Sequence, residues 1–186
     1  MFNFRPSVQL ALPYEQFLAQ FGNASDARRW SQVLDQVALT EAQRELLSRF
    51  PRRMQILCMA GTWCGDCAGQ CPILFKFAQA CPMSELRFVD RDNDAELAAE
   101  LMLCGSPRIP QVVFLDEDGN HVGRFGDRTL SKYRQLNAQL SGAACSTGIV
   151  SGGTDFAAIV QEWLDQIERI QWLLRTSPRL RERHGD

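Results

Sequence analysis

A chain of 186 residues, 45% hydrophobic, 23% charged and with a formal net charge of −2, suits one large domain or one domain with extensions. Its eleven Phe and four Trp can fill a core without disulfide staples, and the near-neutral charge argues against a general nucleic-acid binder, which needs a basic field. No apolar run approaches the ~18 residues that cross a bilayer, and Arg5, Pro6, Pro13, Tyr14 and Glu15 break up any secretory signal, so a cytoplasmic protein with no membrane or nucleic-acid partner is expected.

The first fifty residues read as helices. Pro13 stands where a helix begins, with Phe17, Leu18 and Phe21 on its apolar face. Ser25 or Asp26 is the expected cap of a second helix carrying Trp30, Val33, Leu34 and Val37. Thr40 and Gln43 have capping-box spacing before a third helix through Leu46 and Leu47, and Pro51 closes the region.

Strand and helix then alternate. Met54–Ala60 is an apolar run fit for a buried strand, and Cys67–Gln79 reads as a helix with Pro72 inside it. A strand over Leu86–Asp90, a helix over Asp94–Leu103 and a strand over Gln111–Leu115 follow. Asp118-Gly119 is a hairpin signal that returns His121–Phe125 antiparallel, and Thr129–Leu140 is helical again. The order βαβαββα describes an α/β sandwich with a mixed sheet. Ser141–Gly153 reads as a loop, after which Thr154 or Asp155 caps a long helix. Its stripe runs from Phe156 through Ile159, Val160, Trp163, Leu164, Ile167 and Ile170 to Leu174. The stripe is expected to pack on its own domain, with a dimer or partner surface as the alternative. The locally basic end, Arg175–Arg183, reads as a solvated helix terminus.

Seven cysteines, Cys58, Cys64, Cys67, Cys71, Cys81, Cys104 and Cys145, are an odd number in a chain with no visible export signal. That is not a disulfide scaffold; it leaves buried thiols, a metal site or redox chemistry. The informative segment is Trp63-Cys64-Gly65-Asp66-Cys67, directly after a strand and at the start of a helix. Two cysteines at this spacing can close a disulfide across the first helical turn. Unpaired backbone N–H groups and the helix macrodipole favour a thiolate on Cys64, the form that attacks. Cys67, one turn further in, suits the second step, in which it displaces the captured substrate.

These residues resemble the thioredoxin family, whose Trp-Cys-Gly-Pro-Cys pattern Trp63–Cys67 matches at four of five positions. Pro72 stands where the family has its kinking proline. Ile109-Pro110 matches the family's cis-proline at a strand start, and Gly119 and Gly126 fit its hairpin and last-strand glycines. The resemblance covers about 51–140. It implies a thioredoxin-like core there, a helical extension over 1–50, and a loop and C-terminal helix over 141–186. It further implies a protein-disulfide reductase with Cys64 as nucleophile and Cys67 as resolving thiol, with Trp63, Gly65 and Asp66 shaping the site. A cis peptide before Pro110 would expose backbone of Ile109 for an extended substrate. The resemblance also implies a redox-active Cys64–Cys67 disulfide and no bound cofactor or metal. The expected partners are proteins carrying disulfides and a thioredoxin reductase-like donor, and the chain is expected to be a monomer or weak dimer.

Two departures stand out. Asp66 replaces the family's proline and is expected to disfavour the Cys64 thiolate. Cys58 replaces the buried acid six residues before the first cysteine, and reads as an inert core thiol. Cys64, Cys67 and Cys71 fall on one side of a helix and, with Cys58 or Cys104, leave open a metal-binding or interaction module that reuses the fold. Otherwise Cys71 reads as buried filler, and Cys81, Cys104 and Cys145 as unpaired thiols. Asp90, Asp92 and Asp94 lack the glycine of a calcium loop, Ser151–Thr154 lacks the P-loop lysine, and His121 and His184 lie away from the motif. Peroxide reduction would need an arginine beside the thiol, which the residues around Cys64 do not supply.

Overall fold

The computed structural model describes residues 2–139 and 156–186. Four strands, β1 (Met54–Ala60), β2 (Ser84–Asp90), β3 (Gln111–Leu115) and β4 (His121–Gly126), form one sheet in the order β2-β1-β3-β4. β1 and β2 are parallel across a helical crossover; β3 runs antiparallel to both β1 and β4. β3 is buried along its whole length, which is why it reads as an unbroken apolar run rather than an alternating one.

Helices α1 (Arg5–Leu10), α2 (Tyr14–Phe21), α3 (Ala24–Gln36) and α4 (Glu41–Ser48) precede the sheet. Asn23, not Ser25 or Asp26, caps α3. Its side chain accepts from Ser25 N at 2.8 Å and Asp26 N at 3.0 Å, while the Asp26 carboxylate accepts from Asn23 N at 3.2 Å. Asp26 is thus the third-position partner of a capping box rather than the cap. The Thr40–Gln43 box forms as expected. Tyr14, Phe17 and Trp30 pack around Phe88 of β2, with Tyr14 stacked on Phe75 at 4.1 Å. Leu12 pairs with Phe88 through two backbone hydrogen bonds of 2.8 Å, covering the outer edge of β2.

Helix α5 (Gly65–Ala80) starts two residues earlier than expected, because Cys64 occupies the cap, and carries Pro72 inside it. A short 3-10 turn, Arg91–Asn93, and α6 (Ala95–Glu100) follow β2. Asp90 and Asp94 cap these two elements, a structural use for two of the three carboxylates at this strand end. α6 stops before Leu103, which instead bridges Ser106. After α7 (Leu130–Gln139), the expected loop over 141–153, its cap at Thr154 or Asp155 and Cys145 lie outside the described residues.

The stripe of α8 (Phe156–Thr176) packs on its own domain: Ile159, Val160, Trp163, Leu164, Ile167, Ile170 and Leu174 join the one core cluster. Trp163 meets Phe125 of β4 edge-on at 4.9 Å, and Ile170 presses where a Cβ on Gly123 would stand 3.0 Å from it. The basic end is largely exposed, as expected of a solvated helix terminus, and it also forms ion pairs. In α9 (Pro178–His184), Arg179 pairs with Asp116 and Asp118, Arg183 reaches Glu117 at 2.8 Å, and Leu180 is buried. Acidic partners at the β3–β4 turn, distant in sequence, turn that run of arginines into a dock.

Candidate active site

The parallel strands β1 and β2 end on the same side of the sheet, and the Cys-Gly-Asp-Cys segment follows β1 there. Cys64 is the cap residue of α5, in extended conformation (φ −77°, ψ 126°), and is half-buried; Cys67, inside the first turn, is fully buried. The free N–H groups and the positive end of the dipole of α5 lie at this helix start, although the Cys64 side chain makes no cap hydrogen bond. Across from it the Ile109 carbonyl lies 3.9 Å from Cys64 Sγ, and the Ile109–Pro110 peptide is cis. Gly126 closes this side: φ is +144°, and a Cβ there would stand 2.4 Å from the Pro110 carbonyl oxygen, so only glycine lets β4 approach.

The two extensions hold this geometry. On the N-terminal side, Trp30 Nε1 donates to the Thr62 carbonyl at 2.9 Å, Thr62 Oγ1 donates to Phe21 O at 2.9 Å, and Arg29 donates to Trp63 O at 3.2 Å. Trp63 is 48% exposed, with the Arg91 guanidinium 4.7 Å from its ring centre. On the C-terminal side, Trp163 Nε1 donates to Gln70 Oε1 at 3.1 Å, and Gln70 Nε2 donates to Asp127 O at 2.9 Å. The buried Asp127 carboxylate holds Arg108 at 2.9 Å and Arg128 at 3.1 Å and accepts from the Tyr133 hydroxyl.

Arg128 also pairs with Asp66. The carboxylate that replaces the family's proline is therefore offset by a guanidinium, and its repulsion bears on Cys67 rather than Cys64. The two thiols titrate as a pair. Hydrogen bonding to Cys67, then burial, pushes Cys64 above the ordinary thiol range. Burial pushes Cys67 up as well, but hydrogen bonds with Cys64 and Cys71 outweigh it and bring Cys67 down to about 5. In the resting pair the negative charge is therefore favoured on Cys67 and disfavoured on Cys64, the reverse of the expected order.

Arg91, Arg128, Arg29, Trp30, Gln70 and Asp127 escaped the sequence reading. Arg91 had a usable signal: it directly follows β2, parallel to the strand that delivers Trp63, and strand ends of a parallel pair share a rim. An arginine does stand beside the motif, contrary to the expectation, although a cation–π contact and its neighbour Asp92, at 2.8 Å, engage it. Cys58 and Cys71, read as separate fillers, are brought together, with sulfurs 3.8 Å apart in the core. Cys81 is buried and Cys104 exposed, and all six described cysteines are free. No group of three or more His, Cys, Asp or Glu among the described residues is arranged to hold a metal ion.

The family model described as thioredoxin matches residues 12–136. The chain belongs to the thioredoxin family. The match takes in α2, α3 and α4 of the N-terminal region, which the motif-based resemblance left out. A Pseudomonas aeruginosa protein of unknown function, solved by crystallography, is 21% identical. It aligns over 94% of this chain and 98% of its own length at a TM-score of 0.64. An HIV epitope scaffold aligns over 95% and 99% at 21% identity and a TM-score of 0.63. Both share the thioredoxin-like fold together with its helical additions. A thioredoxin from Fasciola hepatica is 27% identical over 51% of this chain and 88% of its own, at a TM-score of 0.36. No curated protein matches the chain.

Proposed function

We propose that this thioredoxin-family chain is a thiol–disulfide oxidoreductase that reduces disulfides in proteins. The observation that carries the reading is the half-exposed Cys64 at the start of α5, 3.9 Å from the Ile109 carbonyl, with Cys67 buried in the first helical turn. Transfer of the Cys64 proton to Cys67 leaves the negative charge on Cys64, at the positive end of the helix. The thiolate attacks one sulfur of a substrate disulfide, and the other substrate sulfur departs with the electron pair. Cys67 then attacks the Cys64 sulfur, the substrate's second sulfur departs, and a Cys64–Cys67 disulfide remains.

An extended substrate segment would lie against backbone of Ile109, with Trp63 as its apolar rim. Gly65 borders open space, since a Cβ there would meet nothing within 4 Å. The two thiols store the electron pair, so the reaction needs no bound cofactor. A thioredoxin reductase-like donor restores the dithiol in a reducing, cytoplasmic setting. Insulin-disulfide reduction driven by dithiothreitol tests the reading: Cys64→Ser should fall to the uncatalysed rate, and undiminished turnover would overturn it. Stoichiometric zinc or iron on Cys64 and Cys67 in freshly purified protein would favour a metal-binding module instead.

A further inference from the structure

Behind the Cys64–Cys67 pair the core holds two more thiols that the proposed exchange does not use. Cys58 on β1 and Cys71 on α5 are both fully buried and face each other with sulfurs 3.8 Å apart. Cys67, fully buried as well, stands between Cys64 and Cys71 in the first two turns of α5. Cys64, Cys67 and Cys71, at i, i+3 and i+7, follow one another in a row along a single face of α5. Such a row suits displacement at the middle sulfur, with attacker and leaving group on opposite sides.

We propose that Cys58 and Cys71 are a second redox-active dithiol that takes over the disulfide from Cys64–Cys67 through the protein interior. The inference rests on the exchange proposed above, which supplies the oxidised outer pair. In the first step Cys71 attacks Cys67: the Cys67–Cys71 bond forms and the Cys64–Cys67 bond breaks. Cys64 leaves with the electron pair and takes the Cys71 proton. In the second step Cys58 attacks Cys71: the Cys58–Cys71 bond forms and the Cys67–Cys71 bond breaks. Cys67 leaves with the electron pair and takes the Cys58 proton.

The disulfide has moved inward, the outer dithiol is restored, and no further oxidant is consumed. To shorten a 3.8 Å contact to a bond of ~2.05 Å, each sulfur moves about 0.9 Å. A fully reduced chain can thus reduce two substrate disulfides before it needs its donor. Burial pushes the Cys71 thiol up, which makes the inward step slower than the outer exchange and the inner pair a reservoir.

The test is oxidation of the fully reduced chain by excess glutathione disulfide, with acid quenching at intervals and alkylation of the remaining thiols. Cleavage after Trp63 and before Asp66 separates Cys58, Cys64 and the Cys67–Cys71 segment for mass spectrometry. The expected result is a Cys64–Cys67 bond first and a Cys58–Cys71 bond later, with two equivalents of oxidant consumed by these four thiols. Cys71→Ala should halve that uptake, and Cys67→Ser should leave Cys58 and Cys71 reduced. A complete Cys64–Cys67 bond with Cys58 and Cys71 still alkylated overturns the inner couple and leaves the proposed function standing. A Cys58–Cys71 bond that forms as fast in Cys67→Ser overturns the route. Absence of both bonds defeats both readings.

Discussion

The two flanks of the Cys64–Cys67 segment are supported in different ways. On the N-terminal flank the support is aromatic: Trp30, with no exposed surface, packs with Tyr14, Phe17 and Phe88 and spends its one N–H on the Thr62 carbonyl. On the C-terminal flank it is a polar chain, from Trp163 through Gln70 to Asp127, with Arg128 passing the connection on to Asp66. The aromatic side stabilises by area removed from water, and the polar side by leaving few buried groups unpaired. Substitutions should therefore cost most stability on the first flank, and on the second cost less stability or, at Arg128, change the chemistry of the sulfurs.

Trp30→Ala should have the largest effect. Emptying a fully buried indole site costs about 3–5 kcal/mol, read as a lower urea midpoint; a loss under about 1 kcal/mol would show that the aromatic flank is not structural. Gln70→Leu comes next. It leaves the Trp163 N–H and the Asp127 carbonyl without a partner, a cost of about 1–3 kcal/mol. Equal stability of this variant and the parent would remove the polar chain from the account. Arg128→Ala should barely move the urea midpoint but frees Asp66 to repel the thiolate pair. Iodoacetamide alkylation of Cys64 should then need higher pH to reach its half-maximal rate, and an unchanged or lower pH profile would contradict the coupling.

The smallest effect belongs to the C-terminal dock. Hydrogen bonds from Arg183 hold Glu117 and Asp118, and one from Arg52 holds Asp186, below the usual carboxylate range. Carboxyls depressed in the folded state stabilise it fully above their unfolded values of about 4, and that contribution fades as pH falls through the folded ones. Amide exchange in α9 should therefore quicken below about pH 4, before the core opens. Acid-insensitive exchange in α9 would leave Leu180 as its main anchor.

Local patterns carried the sheet and the motif. β1 and β3 have the expected bounds because continuous apolar runs ended by turn residues have few alternatives, and Thr40–Gln43 formed its box because both partners are neighbours in the chain. What escaped depends on long-range approach. Arg128 meets Asp66 across 62 positions and Arg179 meets Asp116 across 63, and neither pairing leaves a periodic trace. The Cys58–Cys71 contact was hidden for a similar reason: a strand and a helix each bury a small thiol, and only their packing brings the two face to face.

The central claim is that Cys64 captures a substrate sulfur and Cys67 releases it. Cys67→Ser incubated with an insulin-type disulfide, without reductant, tests it most directly, because the variant keeps the attacking thiol and lacks the one that ends the encounter. The expected product is a stable mixed disulfide through Cys64, resolved on a non-reducing gel, mapped by mass spectrometry and lost on adding dithiothreitol. Free substrate after prolonged incubation, or an adduct on another cysteine, would contradict the account.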